Sequence, residues 1–438
     1  MIAIVVSEAD EASEHVGEHL LELADWERER DDARPPAEGG GDVHRTDGFE
    51  LRTFAELHLD LEGVAAAFDD PDALVFASRH SGETGPLLSA HFTGNFGPAE
   101  FGGRDGALAR AAPGLHRAVV AALAEHAPDE YEVGIECTHH GPSAVGVPSM
   151  FVELGSDEPE WRDPEGARAV AAAILDLRDV AVGAERTVVG FGGGHYAPRF
   201  ERVLRETPWT VGHVAADWAL DDMGDPDTNR ETIRRAFEES GAEHALVEGD
   251  RPDLRRVIED LGFRVVSETW LRAVGDRPLD LVESLETVLC PVADGLRFGA
   301  VEATPFETVD LPAELLAAAQ GVDDEAVRDA VEATTVAFET EHGGTRVAGR
   351  AAVADLSALD DLVERLAAVL RERYDAVRVG DEAVVAEETA FDPDRARTLG
   401  VPEGPKFGRL SNGQSVEVDG EVIDPETVRV ERTERFPL

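Results

Sequence analysis

The stretch Glu136-Cys137-Thr138-His139-His140-Gly141-Pro142-Ser143 follows a strand-like run in which Tyr131, Val133 and Ile135 alternate with polar or small residues. A second stretch, Gly190-Phe191-Gly192-Gly193-Gly194-His195-Tyr196, follows the apolar pair Val188 and Val189 in the same way. Strand ends that open into glycine-containing loops are where open α/β sheets bind ligands. Imidazole serves near neutral pH as a base, an acid or a metal ligand. The two stretches therefore predict an α/β fold with a hydrolase site at the carboxyl ends of its strands.

The rest of the first 275 residues alternates between apolar, strand-like runs and helix-like segments. Strands are expected at residues 2–6, 73–77, around 188, at 245–247 and at 264–266, and helices at 12–23, at 167–177 and from 198 onward. Helices of this length between strands are typical of a parallel sheet. We therefore expect the α/β class, with a mostly parallel sheet flanked by helices. Residues 27–48 are charged and contain Pro and Gly clusters, which indicates a surface loop or insertion.

The sequence changes character between residues 275 and 305. Beyond this point Leu356, Leu359, Val363, Leu366 and Leu370 recur at intervals of three and four residues, which predicts one long amphipathic helix. Residues 416–423 surround an Asp-Gly pair and are expected to form a hairpin. We predict two domains, a catalytic domain at residues 1–275 and an auxiliary C-terminal α+β appendage at residues 300–438.

The charge of the chain is strongly negative. Lys and Arg number 40 and Asp and Glu number 91, so the net charge is −51, and Lys406 is the only lysine. An acidic composition almost free of lysine is typical of proteins from molar-salt cytoplasm, where salt screens charge repulsion beyond about 3 Å. A halophilic protein is therefore expected, with an acidic protein from an ordinary cytoplasm as the alternative.

Cysteine content and hydropathy exclude several other classes. Two cysteines, Cys137 and Cys290, are too few for a disulfide framework or a Cys-rich zinc module. No apolar stretch approaches the ~18 residues of a membrane span. The apolar start at residues 1–6 is too short for a signal peptide and lacks its basic flank. We expect a cytoplasmic protein, monomeric and without a protein partner.

Seven motifs follow one another in residues 1–270. They are Ser7, Asp10, Ala12 and Ser13; Phe76-Ala77-Ser78-Arg79-His80; His91 with Gly94-Asn95; Thr138-His139-His140-Gly141-Pro142-Ser143; Glu153-Leu154-Gly155-Ser156 with Glu160-Trp161; Gly192-Gly193-Gly194-His195-Tyr196-Ala197-Pro198-Arg199-Phe200; and Gly212-His213. In this order they resemble the archaeal and plant type of D-aminoacyl-tRNA deacylase. The resemblance implies hydrolysis of the ester that joins a D-amino acid to the terminal ribose of tRNA, with D-aminoacyl-tRNA as partner and zinc as cofactor.

The candidate site residues lie in these motifs. The candidate catalytic residues are His139, His140, His195 and Glu136. Glu136 is read as a general base, as a group that orients a histidine, or as a paired carboxylate at a strand end. The candidates for substrate contacts are Arg79, His80, Asn95, Gly192, Gly193, Gly194 and Arg199, because glycine amides form anion-binding nests and arginines bind phosphate. For the zinc that the resemblance implies, the candidate ligands are His91, His140, His195 and Glu153.

Mechanism and function each keep alternatives open. Zinc would activate water and stabilise the oxyanion; without it, the amides of residues 192–194 would take the oxyanion and a histidine or a substrate hydroxyl would take the proton. Cys137 is read as a small buried residue at a strand end rather than a nucleophile or ligand. A zinc-dependent amidohydrolase or peptidase and a catalytically silent tRNA-binding module are the alternative functions. The region after residue 300 is expected to be dispensable for chemistry and to contact tRNA through Lys406 and Arg409.

Overall fold

The computed structural model describes residues 1–438, which form two compact units, Met1–Gly275 and Asp276–Leu438. The strands of the first unit are β1 Ile2–Ser7, β2 Glu27–Asp31, β3 Gly41–Thr46, β4 Phe49–Phe54, β5 Ala73–Arg79, β6 Leu87–His91, β7 Glu132–Ile135, β8 Ser149–Gly155, β9 Thr187–Phe191, β10 Thr210–Ala215, β11 His244–Val247 and β12 Arg264–Val266. Its helices are α1 Glu11–Leu23, α2 Pro113–His126, α3 Glu158–Trp161, α4 Pro164–Leu175, α5 Pro198–Glu206, α6 Asp217–Met223, α7 Arg230–Ser240, α8 Pro252–Asp260 and α9 Glu268–Val274.

The larger sheet of the first unit has eight strands in the order β2-β3-β4-β1-β5-β8-β6-β7. The pairs β1–β4, β1–β5, β5–β8 and β6–β7 are parallel, and the other three pairs are antiparallel. All of β1 is buried, as expected for a central parallel strand that is covered on both faces. The Asp10 side chain then accepts hydrogen bonds from the amides of Ala12 and Ser13 and caps α1. The predicted α/β class is confirmed.

The prediction that residues 27–48 form a surface loop is wrong. β2 and β3 pair antiparallel within this segment and extend the sheet at its edge. Arg28 pairs with Asp42 and Arg45 with Glu29, so oppositely charged side chains meet across the two strands. Such pairs stabilise a solvated edge, and their charges discourage pairing with another chain. The segment lacks the apolar alternation that announces a half-buried strand, and for this reason its composition indicated a loop.

The strands predicted at 188, 245–247 and 264–266 form a second sheet of four parallel strands rather than part of the first. Its order is β10-β9-β11-β12. The chain leaves β9 for β10 on one side and returns to β11 on the other, so the loops after β9 and β11 lie at a topological switch point. Ligands of open α/β sheets bind at such points. His195 follows β9 and therefore lies at this position.

The second unit contains helices and small antiparallel sheets, as expected for an α+β appendage. Its helices are α10 Leu279–Val288, α11 Ala313–Gln320, α12 Asp324–Thr334, α13 Ser357–Leu370, α14 Pro393–Thr398 and α15 Pro405–Ser411. Its strands are β13 Arg297–Phe298, β14 Glu307–Asp310, β15 Ala337–Glu341, β16 Arg346–Val353, β17 Ala376–Val379, β18 Ala383–Phe391, β19 Val416–Val418, β20 Glu421–Ile423 and β21 Arg429–Pro437. They form the sheets β13-β15-β16-β14, β17-β18-β21 and β19-β20.

Two local predictions for the second unit are confirmed. α13 buries Val363, Leu366 and Leu370, whereas Leu356 precedes the helix and is exposed. β19 and β20 form the hairpin around Asp419 and Gly420.

Lys406 lies in α15, where its ammonium donates to the carbonyl of Glu417. No helix in the chain combines the length and apolarity needed to cross a bilayer.

Candidate active site

A cavity of about 450 Å³, here called the central cavity, opens at the carboxyl ends of the parallel strands. This volume lies in the range of small-molecule sites. Residues that follow five different strands line it: Asp10 after β1, Leu57 to Leu59 after β4, His80 after β5, Glu136, His139 and His140 after β7, and His195 after β9. Glu153 contributes from within β8. The parallel topology thus brings together side chains that are far apart in sequence.

Two buried carboxylates in the cavity wall, Glu136 and Glu153, share His80. Its Nδ1 lies 3.2 Å from Glu136 Oε1 and 3.6 Å from Glu153 Oε2. Burial lowers the pKa of His80, but the two carboxylates outweigh burial and raise the pKa to about 10. Burial raises the pKa of Glu136, yet hydrogen bonds from His195 and His80 hold this pKa well below its usual value. At neutral pH the arrangement is an imidazolium between two carboxylates.

His195 binds the second oxygen of Glu136. Its Nε2 lies 2.8 Å from Glu136 Oε2, and its Nδ1 lies 3.4 Å from Cys137 Sγ. Burial lowers the pKa of His195, but the bonds with Cys137 and Glu136 outweigh burial and raise the pKa to about 10. The amide of Cys137 donates to the carbonyl of His195, and the rings of His139 and His195 are 4.7 Å apart. The two stretches that decided the fold are therefore in direct contact.

His91, His139 and His140, here called the three-histidine group, pack ring against ring. Their centroids are 4.3, 4.9 and 4.4 Å apart. The Nδ1 of each ring is within 3.0 Å of a main-chain carbonyl one or two residues away, so Nδ1 donates. Burial lowers the pKa of His91, but the Glu153 carboxylate outweighs burial and raises it. Burial, followed by repulsion from neighbouring histidines, lowers the pKa of His139 to about 4 and that of His140 well below its usual value. Both rings are neutral at neutral pH.

The three-histidine group fits a zinc ion. Its ligand atoms lie within 4.8 Å of one another, and zinc binds neutral imidazole nitrogen at about 2.0–2.1 Å. His91 Nε2 is buried and makes no hydrogen bond, although a Glu153 oxygen lies 3.4 Å away. This nitrogen therefore faces a carboxylate, and the three imidazoles together are a donor set that suits zinc.

The expected ligand set His91, His140, His195 and Glu153 does not form one group. His195 clusters with Cys137 and His139, while Glu153 clusters with His80 and Glu136. His91 and His140 cluster with His139, so the four expected ligands are divided among three groups.

The glycine loop after β9 is engaged by the protein itself. The amide of Gly192 donates to the Ala215 carbonyl, and the amide of Gly193 donates to the Asp217 carboxylate. A side chain at Gly192 would lie 2.6 Å from the Glu248 carbonyl, and its φ is +97°, so glycine is required there. The expected nest formed by Gly192, Gly193 and Gly194 thus lacks two of its donors. The loop positions His195 instead.

The three remaining substrate candidates occupy different places. Arg79 lines the central cavity, and its guanidinium lies 5.2 Å from the Trp161 ring, with no carboxylate within ion-pair distance. Arg199 lies outside the lining and pairs with Glu268 at 3.4 Å. Asn95 is buried and donates to the Gly102 carbonyl, so its side chain supports the loop that carries Phe101. Of the three, only Arg79 faces the cavity.

A search for similar proteins finds relatives over the whole length of the chain. A protein of Halorubrum lacusprofundi named D-aminoacyl-tRNA deacylase is 58% identical over all of this chain and 97% of its own length. One of Haloarcula marismortui with the same name is 56% identical over the full length of both. The sequence model of the D-aminoacyl-tRNA deacylase family matches residues 67–266. The chain belongs to the D-aminoacyl-tRNA deacylase family.

A solved structure resembles more than half of this deacylase-family chain. It is titled a conserved protein of unknown function, is 31% identical, and superposes with a TM-score of 0.56 over 62% of this chain and 96% of its own. The solved protein is therefore shorter than this chain and matches 62% of it.

Three residues at this deacylase-family site are not among the predicted site residues. Asp10 belongs to the first sequence motif, and its Oδ2 accepts from the Arg79 amide at 3.0 Å. His58 lies in a short 3-10 turn after β4 and reaches the cavity wall. Phe101 lines the cavity from an irregular loop. Tertiary packing brings these side chains to the cavity, and no local periodicity marks them, although Gly102 and Gly103 follow Phe101.

Proposed function

We propose that this protein hydrolyses the ester bond of D-aminoacyl-tRNA and releases free D-amino acid and tRNA, the chirality proofreading that its family name describes. The observation that carries the proposal is the pair of imidazolium groups, His80 and His195, held by Glu136 beside the three-histidine group in one cavity. Full-length relatives of the same name support it. An ester needs little activation, and such a cavity offers proton transfer and oxyanion stabilisation together.

His195 and His80 are proposed to act as charged donors. Each is protonated at neutral pH, because carboxylates raise its pKa to about 10. A protonated imidazole stabilises the oxyanion of the tetrahedral intermediate or gives a proton to the departing ribose oxygen. Glu136 is then the residue that orients both histidines, rather than a general base or a paired carboxylate at a strand end.

We propose zinc as the cofactor, bound by the three-histidine group. Three protein ligands leave a fourth position open, and zinc supplies Lewis acidity and activates water when bound there. The chain contributes the neutral rings: main-chain carbonyls fix Nδ1 of His139 and His140 as the donor, so Nε2 faces the metal position as a lone pair. The Phe92 carbonyl orients His91 through Nδ1, and the Glu153 carboxylate faces Nε2, on the side of the proposed metal position.

Two parts of the cavity suit the ends of the substrate. Arg79 has no carboxylate partner within ion-pair distance, so its guanidinium is available for the phosphate of the terminal nucleotide. Leu57, Leu59 and Phe101 give the cavity an apolar wall that suits the side chain of the amino acid.

The acidic chain is further proposed to work as a monomer in a saline cytoplasm, which its haloarchaeal relatives fit.

A single assay tests the function. The protein is incubated with D-aminoacyl-tRNA, the matching L-aminoacyl-tRNA and a panel of short peptides, and free amino acid is measured over time. We expect release from the D-ester alone. Peptide cleavage would support the amidohydrolase alternative, and tRNA binding without turnover would support a silent binding module.

The second unit is expected to be dispensable for the chemistry. Every residue of the central cavity precedes residue 200, and a solved structure that is 31% identical matches only 62% of this chain. A truncated chain that ends at Gly275 should hydrolyse a minimal D-aminoacyl-adenosine ester with a kcat close to that of the full chain, because it retains the whole lining of the cavity. Its KM for tRNA is compared in parallel. A folded truncation that is inactive on the minimal ester would place a missing catalytic group in the second unit.

A further inference from the structure

Three aromatic side chains in the chain are more than a third exposed, and all three lie at the active site. Phe101 is 67% exposed and lines the central cavity, while Trp218 and Tyr196 are 45% and 38% exposed and flank His195. The Trp218 ring lies 6.5 Å from the His195 ring at an angle of 26°, and the Tyr196 ring lies 5.0 Å from it, edge to face. Exposed aromatic surface concentrated at one place marks a binding surface.

The fold holds Trp218 in a fixed position. α6 buries Ala219, Leu220 and Met223, so the helix is anchored by side chains other than Trp218. The preceding residue, Asp217, donates from its amide to the Gly193 carbonyl at 2.9 Å. Its carboxylate accepts from the Gly193 amide at 3.0 Å and from Arg251 at 2.6 Å. The loop that positions His195 therefore also positions Trp218, and the two rings keep their relation.

Charge gives this surface little attraction for RNA. Trp218 is followed by the acidic residues Asp221 and Asp222, and Arg251 is already paired with Asp217. With a net charge of −51, the chain as a whole repels phosphate. Stacking of a nucleobase on an aromatic ring needs no positive charge and accepts the π-face of any base. An acidic protein that binds a single-stranded RNA end thus depends on stacking more than a basic one does.

We propose that Trp218, with Tyr196 beside it, is the stacking surface for the terminal adenine base of tRNA. The inference rests on the proposed function, because the ester to be hydrolysed is attached to the ribose that carries this base. One sugar separates the base from the ester, and one ring contact separates Trp218 from His195. Tyr196 extends this surface toward His80, whose Nε2 lies 3.4 Å from the tyrosine hydroxyl. Phe101 is not part of this surface. Its carbonyl accepts a hydrogen bond from the amide of Gly141, the residue after His140.

The test uses two minimal substrates that differ only in the base, a D-aminoacyl ester of adenosine and the same ester of ribose without a base. Trp218→Ala should raise the KM for the adenosine ester by about 10- to 100-fold, as expected for the loss of one base–aromatic stack, and leave kcat nearly unchanged. The KM for the base-free ester should equal that of the wild type. Trp218→Phe should restore most of the loss because it keeps an aromatic face. Val422→Ala removes an exposed apolar side chain in the second unit and serves as the control.

A binding measurement keeps this inference separate from the proposed function. A short RNA with a terminal adenosine should quench tryptophan fluorescence in the wild type and not in Trp218→Phe, and an RNA with an abasic terminus should quench neither. If the wild type hydrolyses D-aminoacyl-tRNA while Trp218→Ala has a normal KM for both esters, the assignment of Trp218 as a stacking surface is wrong and the deacylase function stands. If the RNA quenches Trp218 but no D-ester is hydrolysed, the surface stands and the function is wrong.

Discussion

Glu136→Gln is expected to lower kcat/KM for D-aminoacyl-tRNA by about 1000-fold, within the range of a lost proton-transfer or oxyanion group. The carboxylate is buried and binds His195 through one oxygen and His80 through the other. The amide of glutamine carries no charge to hold either imidazolium. The pKa of each histidine would fall, because burial opposes the charged form and only Glu153 beside His80 and Cys137 beside His195 would remain to raise it. Both rings would then be less firmly charged and less firmly oriented, and would stabilise negative charge in the transition state less well.

The measurement is kcat/KM for the D-ester across pH, together with the thermal unfolding midpoint. The midpoint should fall less than in the control below, because a histidine left without its carboxylate can lose its proton, whereas an arginine cannot. Glu50→Gln is the matched control: Glu50 is buried in β4 of the same sheet and pairs with Arg52 at 2.6 Å and Arg45 at 2.9 Å. That substitution should lower stability and leave turnover per folded molecule unchanged. If both variants lost stability and neither lost turnover, Glu136 would be a structural residue.

The parts of the fold that the sequence predicts are those governed by local rules. β1 is an unbroken apolar run, Asp10 provides a helix cap, and the apolar stripe from Leu359 to Leu370 follows one helical face. The division into two sheets follows no such rule. Residues 188–191 are equally apolar whether their partner strand is β5 or β10, because pairing depends on register between distant segments.

The sequence predicts which loops form the candidate site, but not which side chains pair within it. Glycine and proline beside histidine indicated which loops converge, and the structure brings these loops together. Which ring each carboxylate binds depends on distances that no spacing encodes. His140 has a φ of +44°, an uncommon conformation for a non-glycine residue, and in this turn the adjacent rings of His139 and His140 meet 4.4 Å apart. Adjacent residues on a strand would face apart.

His140→Ala is expected to remove both the bound zinc and the activity. The three-histidine group supplies three nitrogen ligands, and two neutral nitrogens hold zinc far more weakly than three. Elemental analysis of the dialysed protein should find about one zinc per wild-type chain and nearly none in the variant. Turnover of D-aminoacyl-tRNA should fall by at least about 1000-fold, as for the loss of water activation and oxyanion stabilisation together. Exhaustive chelation of the wild type should abolish turnover, and zinc alone should restore it.

The control for this experiment is another neutral buried histidine outside the group. His116 lies in α2, burial lowers its pKa to about 4, and its Nε2 bonds the Ala90 carbonyl at 3.1 Å. His116→Gln should retain zinc and turnover even if it loses some stability, whereas His140→Ala should lose zinc while remaining folded, because its side chain faces the cavity. Full activity of the wild type in chelator, with no zinc in the protein, would contradict the metal assignment. Hydrolysis would then depend on the charged donors His80 and His195 and on a hydroxyl of the substrate ribose, and Glu153 would be the partner of His91 Nε2.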